Sequence, residues 1–217
     1  MKNILVIGLG RFGRFMSKKL IEEGNDVLAV DADEYKATTA LKYCRNVQIG
    51  DAANEEFIES LGVNNFDICV VAIGDNFQSA LEITVLLKDY GAKFIIARAS
   101  RDVHKKLLLR NGADYVVYSE RETAERLAVK FGAQNVFDYV ELTDDYAIYE
   151  ITTPTMWIGK SILQAAVRSK YNVNILATKN ERGMLPMPSP EYVFTQRDTL
   201  LVMGHADDII PLTRKKY

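Results

Sequence analysis

Cysteine is scarce in this sequence. The chain of 217 residues contains two cysteines, Cys44 and Cys69, and they form no CxxC motif. This excludes a disulfide scaffold or a structural zinc site as the basis of the fold. We interpret Cys69, which lies in an apolar run, as a core residue, while Cys44 ends a predicted helix. Such sparse cysteine usage is typical of a reducing cytoplasm.

A charge imbalance is also missing. The chain has 27 Lys and Arg against 29 Asp and Glu, a net charge of -2 and a pI of about 5.8. Proteins that bind bulk nucleic acid carry a strong basic excess, so nucleic acid is not an expected partner. The longest apolar runs, such as residues 68–73, have the length of a strand. We therefore predict neither a membrane span nor a signal peptide.

Short apolar strands alternate with helices through residues 1–133, and 48% of the chain is hydrophobic. Strands that are apolar throughout and are joined by helices are typical of a parallel sheet covered on both faces. The pattern therefore predicts an α/β domain with a Rossmann-like, doubly wound parallel sheet. Its last helix, over Glu120–Phe131, carries an apolar stripe.

The pattern changes near Ala133, where we place a domain boundary. Residues 134–217 combine three alternating strands with one helix at Lys160–Arg168 and a proline-rich loop, LPMPSP, at residues 185–190. This predicts a small α+β domain. The strands are expected at Tyr146–Ile151, Val173–Thr178 and Thr199–Met203.

The motif GLGRFG, residues 8–13, follows the first predicted strand and begins a helix. Such glycines permit a tight turn at Gly8, the approach of phosphate to the backbone at Gly10, and close packing of helix on sheet at Gly13. Asp31 ends the next strand 18 positions after Gly13, near the usual spacing for a carboxylate that binds ribose hydroxyls. The motif therefore predicts an adenine nucleotide site.

Two arginines, Arg11 and Arg14, lie in the first turn of that helix, where the helix dipole disfavours a cation. The loop amides alone can bind a diphosphate. Arg11 is therefore expected to bind additional phosphate charge, as in ATP or ADP. Arg14 fits either this role or an exposed helix surface. Phe12 is assigned to the same site. Asp33 is consistent with a ligand contact or with a helix N-cap.

Other strand ends should line the same crevice. Asp51 could meet the adenine amino group or serve as a charge at a helix N-terminus. Ala72, Ile73 and Gly74 are small or apolar and suit the face of a purine and ribose. Arg98 leaves a buried strand, so its charge needs a partner. That partner is either a phosphate or a carboxylate from a neighbouring helix.

Groups that would carry out a reaction are missing. The two histidines, His104 and His205, fit a solvated helix face and a helix cap, and none of the eleven tyrosines has a lysine four positions later. No Walker lysine follows the glycines, and the sequence GKS at residues 159–161 lacks the upstream glycine of a P-loop. A nucleotide site without such groups predicts a sensor and not an enzyme.

Several motifs, in order and spacing, resemble the regulatory subunits of Ktr/Trk potassium-uptake systems, the RCK domain family. They read GLGRFG, AVDAD, IGDAA, VVAIGDN and GADYVVYSE, followed by WIGKSI and DTLLVMGH in the second domain. The resemblance implies a cytoplasmic, octameric ring of dimers docked at the inner face of the membrane beneath a separate potassium channel subunit. It also implies that ATP and ADP hold this ring in different shapes.

Carried over by position, the resemblance implies that Arg11 meets the outer phosphates, that Asp31 binds ribose and that Arg98 lies near a phosphate. Glu120 matches an acidic residue that can hold a divalent cation, magnesium or calcium, beside the nucleotide. The residues alone favour a first-turn helix charge at Glu120.

In Ktr-type members the C-terminal domain binds cyclic di-AMP at a symmetric dimer interface. Arg168 would pair with a phosphate and Asn174 with a base or phosphate, while apolar side chains pack on adenine. Related proteins often have a glycine after the lysine–tyrosine pair, whereas this chain has Asn172. Binding of cyclic di-AMP therefore depends on whether asparagine allows the loop conformation that glycine adopts. The positions where those contacts would fall are Ile162, Leu163, Arg168, Asn174 and Pro190.

Two other functions remain open. The same glycines and Asp31 permit NAD(H), so an NAD(H)-binding oxidoreductase or redox sensor is the alternative. A free-standing nucleotide-binding oligomer without a channel partner is the third.

Overall fold

The computed structural model describes residues 1–132, 135–143 and 145–213. The chain divides into two compact units, Met1–Arg121 and Glu122–Tyr217. The domain boundary that the sequence predicts at Ala133 lies outside the described residues and stays a prediction. Among the residues described, no helix is long and apolar enough to cross a membrane.

The first unit contains a six-stranded parallel sheet in the order β3-β2-β1-β4-β5-β6. Its strands are β1 (Asn3–Ile7), β2 (Asp26–Asp31), β3 (Asn46–Ile49), β4 (Ile68–Val71), β5 (Ile95–Arg98) and β6 (Tyr115–Val117). The helices are α1 (Arg11–Glu22), α2 (Glu34–Ala40), α3 (Glu55–Ser60), α4 (Phe77–Asp89), α5 (Asp102–Arg110) and α6 (Ser119–Gly132), with a 3-10 turn at Val63–Asn65. The doubly wound prediction is confirmed. The strand order reverses between β1 and β4, which opens a crevice at their carboxyl ends.

Both faces of the central strands are buried because helices cover the sheet on each side. Leu5 and Val71 belong to one apolar cluster, while Val6 and Val70 belong to the other. Cys69 is a core residue on β4, as predicted, and burial raises the pKa of its thiol to about 12.

Cys44 is buried too, although α2 ends at Ala40 and not at Cys44 as the sequence predicts. Its Sγ lies 3.3 Å from the carbonyl oxygen of Val27, a donor–acceptor pair that links the turn after α2 to β2. Burial raises the pKa of this thiol as well.

The second unit is a five-stranded antiparallel sheet in the order β10-β9-β11-β8-β7. Its strands are β7 (Val136–Glu141), β8 (Tyr146–Thr152), β9 (Asn174–Asn180), β10 (Gly183–Pro186) and β11 (Thr199–His205). Its helices are α7 (Ile162–Ala165), α8 (Val167–Tyr171) and α9 (Ala206–Thr213), with a 3-10 turn at Thr155–Trp157. Alternate residues of β8 face the core, which confirms the α+β prediction.

The single helix predicted at Lys160–Arg168 is wrong. Ser161 caps α7 and forms a capping box with Gln164, so the helix begins at Ile162. Ala166 then adopts a left-handed conformation, with φ of 50°, and separates α7 from α8.

Candidate functional site

The carboxyl ends of the parallel strands open into a cleft of about 840 Å³ in the first unit, a volume typical of small-molecule sites. The cleft brings together nearly all the residues predicted for the nucleotide site. The predicted residues that line it are Gly8, Gly10, Arg11, Phe12, Asp31, Asp33, Asp51, Ala72, Ile73, Gly74, Arg98 and Glu120.

The glycine loop shapes the floor of the cleft. Gly8 has a φ of +94°, and its N–H donates to the carbonyl of Val30 at 2.8 Å. Gly13 lies behind the loop, where a Cβ would collide with the carbonyl oxygen of Gly8. Within the described residues, α1 has neither a side-chain cap nor an acidic first-turn residue. Its first amides are therefore available to phosphate oxygens.

Asp31 is held in place by the backbone on both sides. The carboxylate is buried, with 9% of the residue exposed. Its Oδ2 accepts from the amide of Leu9 at 2.6 Å, and its Oδ1 accepts from the amide of Asp33 at 2.8 Å. Each oxygen keeps further lone-pair capacity, so a fixed carboxylate faces the cleft ready to accept from ribose hydroxyls.

Asp33 and Asp51 line the cleft but also shape their own loops. Asp33 is the N-cap of α2 and accepts from the amides of Tyr35 and Lys36, while Asp51 accepts from the amide of Ala53 at 3.0 Å. The structure thus shows the capping role for Asp33 and a turn-forming role for Asp51. Lys36, which the sequence analysis missed, also lines the cleft, with Nζ 3.7 Å from Asp33 Oδ2. Its position three residues after a helix N-cap was the available signal.

Arg98 pairs with a carboxylate, which was one of its two predicted partners. Its Nη2 donates to Oε1 of Glu120 in the first turn of α6. The guanidinium carbon lies 5.9 Å from the centroid of the Phe12 ring, and a Cβ on Gly74 would collide with Nη1. Nε is buried without a hydrogen-bond partner among the described residues. Such an orphaned donor typically costs about 1–3 kcal/mol.

Glu120 is a stabilised anion. A hydrogen bond with its own backbone N–H lowers the pKa of its carboxyl most, desolvation raises it, and hydrogen bonds from Arg98 and Ser119 lower it further. In the described part of the chain there is no group of three or more His, Cys, Asp or Glu residues that could hold a metal. The cation site at Glu120 therefore stays a prediction.

The two first-turn arginines occupy different surroundings. Arg11 is exposed, lines the cleft and has no ion pair among the residues described. Arg14 does not line the cleft, and its guanidinium lies 5.3 Å from the centroid of the Phe15 ring. Phe15, which has the spacing of a core residue, is 65% exposed at the cleft instead. The helical spacing of apolar residues alone does not distinguish a side chain that lines the cleft from one that is buried in the core.

The residues predicted for cyclic di-AMP lie in the second unit. Ile162 packs against the core, and the amide of the exposed Leu163 donates to the carbonyl of Pro190 at 2.9 Å. Arg168 on α8 and Asn174 on β9 are exposed. Asn172 adopts a left-handed conformation with φ of 55°. This is a conformation that glycine supplies and asparagine tolerates, so asparagine preserves the turn.

Together, a doubly wound parallel sheet, a glycine loop at a helix N-terminus and a fixed carboxylate at the next strand end define a Rossmann-like nucleotide-binding protein. Residues 4–119 match the TrkA-N domain and residues 146–215 match the TrkA-C domain. The chain belongs to the TrkA-N/TrkA-C family of Ktr/Trk potassium-uptake proteins, which confirms the resemblance in the sequence motifs.

Two relatives from Bacillus subtilis (strain 168) match nearly end to end. The chain is 39% identical to Ktr system potassium uptake protein C and 37% identical to Ktr system potassium uptake protein A. Each match spans 208 residues, 96% of this chain and 94% of the relative.

Solved structures share the fold at lower identity. The GsuK channel has a TM-score of 0.72 at 18% identity, and the GsuK channel bound to NAD has 0.71 at 19%; each match covers 100% of this chain and 40% of the channel chain. A structure of GsuK bound to ADP has a TM-score of 0.51 at 20% identity, covering 59% of this chain and 34% of that chain.

Proposed function

We propose that this protein is the nucleotide-sensing regulatory subunit of a potassium uptake channel or transporter, and that it changes conformation between ATP-bound and ADP-bound forms. The observation that carries the proposal is Arg11, an exposed cation without an ion pair among the described residues, at the amide-lined start of α1. A site for a nucleoside or a simple diphosphate has little need of this additional charge. The relatives, named as potassium uptake proteins, support a regulatory role and not catalysis.

The cleft supplies a contact for each part of the ligand. Asp31 accepts from the ribose hydroxyls, the first-turn amides of α1 bind the inner phosphates and Arg11 binds the outer phosphate. Ala72 and Ile73 provide an apolar wall. A ligand shifts a conformational equilibrium only by its differential affinity for the two states. A contact with a phosphate that ATP has and ADP lacks supplies such a difference, typically about 1–3 kcal/mol per site.

Arg11→Ala is expected to reduce the preference for ATP over ADP by about fivefold to tenfold, because one charge-assisted contact with the outer phosphate is worth about 1–1.5 kcal/mol at an exposed site. Isothermal titration calorimetry with both nucleotides measures the ratio. Arg14→Ala is the matched control, since it removes a first-turn arginine that does not line the cleft. If the ratio of ATP affinity to ADP affinity is the same in Arg11→Ala as in Arg14→Ala, Arg11 does not bind the outer phosphate.

The identity of the bound nucleotide is tested by measuring the Tm of the protein with ATP, ADP, NAD and NADH. A ligand at about 100 times its Kd adds about 2.7 kcal/mol of stability, which raises the Tm of a chain of this size by about 5 °C or more. We expect this shift with ATP and ADP. The competing function is an NAD(H)-binding oxidoreductase or redox sensor, which Asp31 and the glycine loop serve equally well. Stabilisation by NAD(H) without stabilisation by ATP or ADP would contradict the proposed ATP/ADP switch and favour this alternative.

The proposed assembly is a cytoplasmic octameric ring of dimers, peripheral to the membrane through a potassium channel subunit of the Ktr/Trk type. The near end-to-end match with two Ktr system proteins supports this partner. Copurification with a membrane potassium transporter separates this assembly from a free-standing oligomer.

Two further ligands belong to the proposal. Cyclic di-AMP would bind the second unit through Arg168 and Asn174, and the turn at Asn172 supports this site because it has the backbone conformation that glycine adopts. A divalent cation, magnesium or calcium, would bind at Glu120 beside the nucleotide. Both can be added to the same Tm measurements, with EDTA as the cation-free reference.

A further inference from the structure

Arg98 has one guanidinium donor in use and another without an acceptor. Nη2 donates to the carboxylate of Glu120, whereas Nε is buried and has no hydrogen-bond partner among the described residues. The guanidinium packs between the Gly74 backbone and the Phe12 ring. All four residues line the nucleotide cleft. Arg98 therefore lines the cleft that we propose binds phosphate, and its guanidinium has a donor that would gain a partner if the side chain turned toward an acceptor there.

The other partner in this pair belongs to α6, a helix in which Val129 packs partly buried against the core of the second unit. None of the residues described in α6 is buried, and the apolar side chains of Leu127 and Phe131 are exposed. Its first turn, residues 119–121, belongs to the first unit and forms two ion pairs there, Arg98 with Glu120 and Arg121 with Asp102. Charged contacts therefore contribute to the position of that turn, and an anionic ligand can alter them.

We infer that Arg98 is a positioning residue through which phosphates in the cleft act on α6. The inference rests on the proposed nucleotide function. Carboxylates and phosphates both accept paired hydrogen bonds from a guanidinium, so Glu120 and the phosphates of a nucleotide compete for Arg98. A ligand with more phosphate charge draws Arg98 from Glu120 and so removes one of the ion pairs that hold the first turn of α6. A nucleoside without phosphate leaves the pair intact.

The competition is tested by titrating adenosine, AMP, ADP and ATP in EDTA, so that a cation at Glu120 plays no part. Glu120→Gln keeps the size of the side chain and removes its charge. We expect this variant to raise the ratio of ATP affinity to adenosine affinity by about twofold to fivefold, the range for a partly exposed ion pair. Arg98→Gln should lower the same ratio. In the double variant the Glu120→Gln effect should vanish, because the shared arginine is gone.

The helix is followed by hydrogen exchange of a peptide covering residues 119–126. ATP should increase exchange there in the parent protein and not in Arg98→Gln, while adenosine should have no effect in either. Asp102→Asn is the matched control, because it removes an acidic partner of α6 that does not line the cleft. It should alter exchange without ligand and leave the ratio of ATP to adenosine affinity unchanged.

Three outcomes would overturn the inference. One is a ratio of ATP affinity to adenosine affinity that is the same in Glu120→Gln as in the parent protein. Another is a change in this ratio on Glu120→Gln that persists when Arg98 is also replaced by glutamine. The third is ATP-dependent exchange in α6 that survives Arg98→Gln. A parent protein that binds none of the four ligands would instead refute the proposed function, and the inference with it.

Discussion

We expect Asp31→Ala to weaken the binding of ATP and of ADP alike, by about 100-fold or more, because the proposed site would lose about 3 kcal/mol from two charge-assisted hydrogen bonds to ribose. The carboxylate is already oriented by the amides of Leu9 and Asp33, at 2.6 and 2.8 Å. Little conformational freedom is therefore lost when a nucleotide binds. Because ribose is common to both nucleotides, the ratio of their affinities should not change. Isothermal titration calorimetry gives both constants.

The Asp31 variant needs a check of folding, because it leaves the amides of Leu9 and Asp33 without their acceptor. Each buried donor without a partner lowers the free energy of unfolding by about 1–3 kcal/mol. Asp33→Ala serves as the comparison, since it removes the N-cap of α2 from the same cleft. It should cost about 1 kcal/mol of stability and have a smaller effect on binding. A folded Asp31→Ala protein with parental affinity would refute the ribose assignment.

Gly13→Ala lowers the free energy of unfolding by about 3 kcal/mol, because the new methyl group meets a rigid backbone carbonyl. The Cβ would overlap the carbonyl oxygen of Gly8 and lie 3.0 Å from the Cβ of Ala72. Relief requires α1 to move away from the sheet. Helix propensity alone predicts the opposite sign, a gain of about 1 kcal/mol for alanine over glycine. Urea denaturation decides between the two.

Gly10→Ala separates this packing effect from the effect on phosphate. Gly10 has a φ of -61°, and no heavy atom of the described residues lies within 4 Å of a Cβ placed there. Alanine at this position should leave the free energy of unfolding unchanged and lower nucleotide affinity, because the methyl group stands where phosphate approaches the amides. Equal stabilities for the Gly13 and Gly10 variants would contradict the packing argument.

The first unit could be predicted closely because its signals are local. Strands covered on both faces are apolar throughout, so β1 and β4 can each be recognised from a single apolar stretch of sequence. Gly8 and Gly13 stand at spacings set by the turn and the helix contact, and Asp31 at the spacing expected for a carboxylate that binds ribose. The geometry of a single strand–helix–strand segment therefore identifies the centre of the site.

Features that depend on distant contacts were not predictable. Nothing in the sequence marks Ala166 as left-handed, and the break between α7 and α8 follows from the packing of both helices on the second sheet. The sequence predicts Leu185 and Pro186 in a proline-rich loop, whereas in the structure both pair with β9 as part of β10. Strand pairing of this kind depends on a neighbour that local composition does not reveal. Likewise, the sequence offered two partners for Arg98, and only the placement of α6 selects Glu120.

The inaccessible thiols have a practical consequence for following α6. Cys69 and Cys44 are buried, and burial raises the pKa of both thiols, so little reactive thiolate forms at neutral pH. An engineered cysteine at an exposed α6 position such as Glu122 would thus be the one site open to maleimide chemistry. A fluorophore or spin label could report ligand-driven motion there without a cysteine-free background having to be made first.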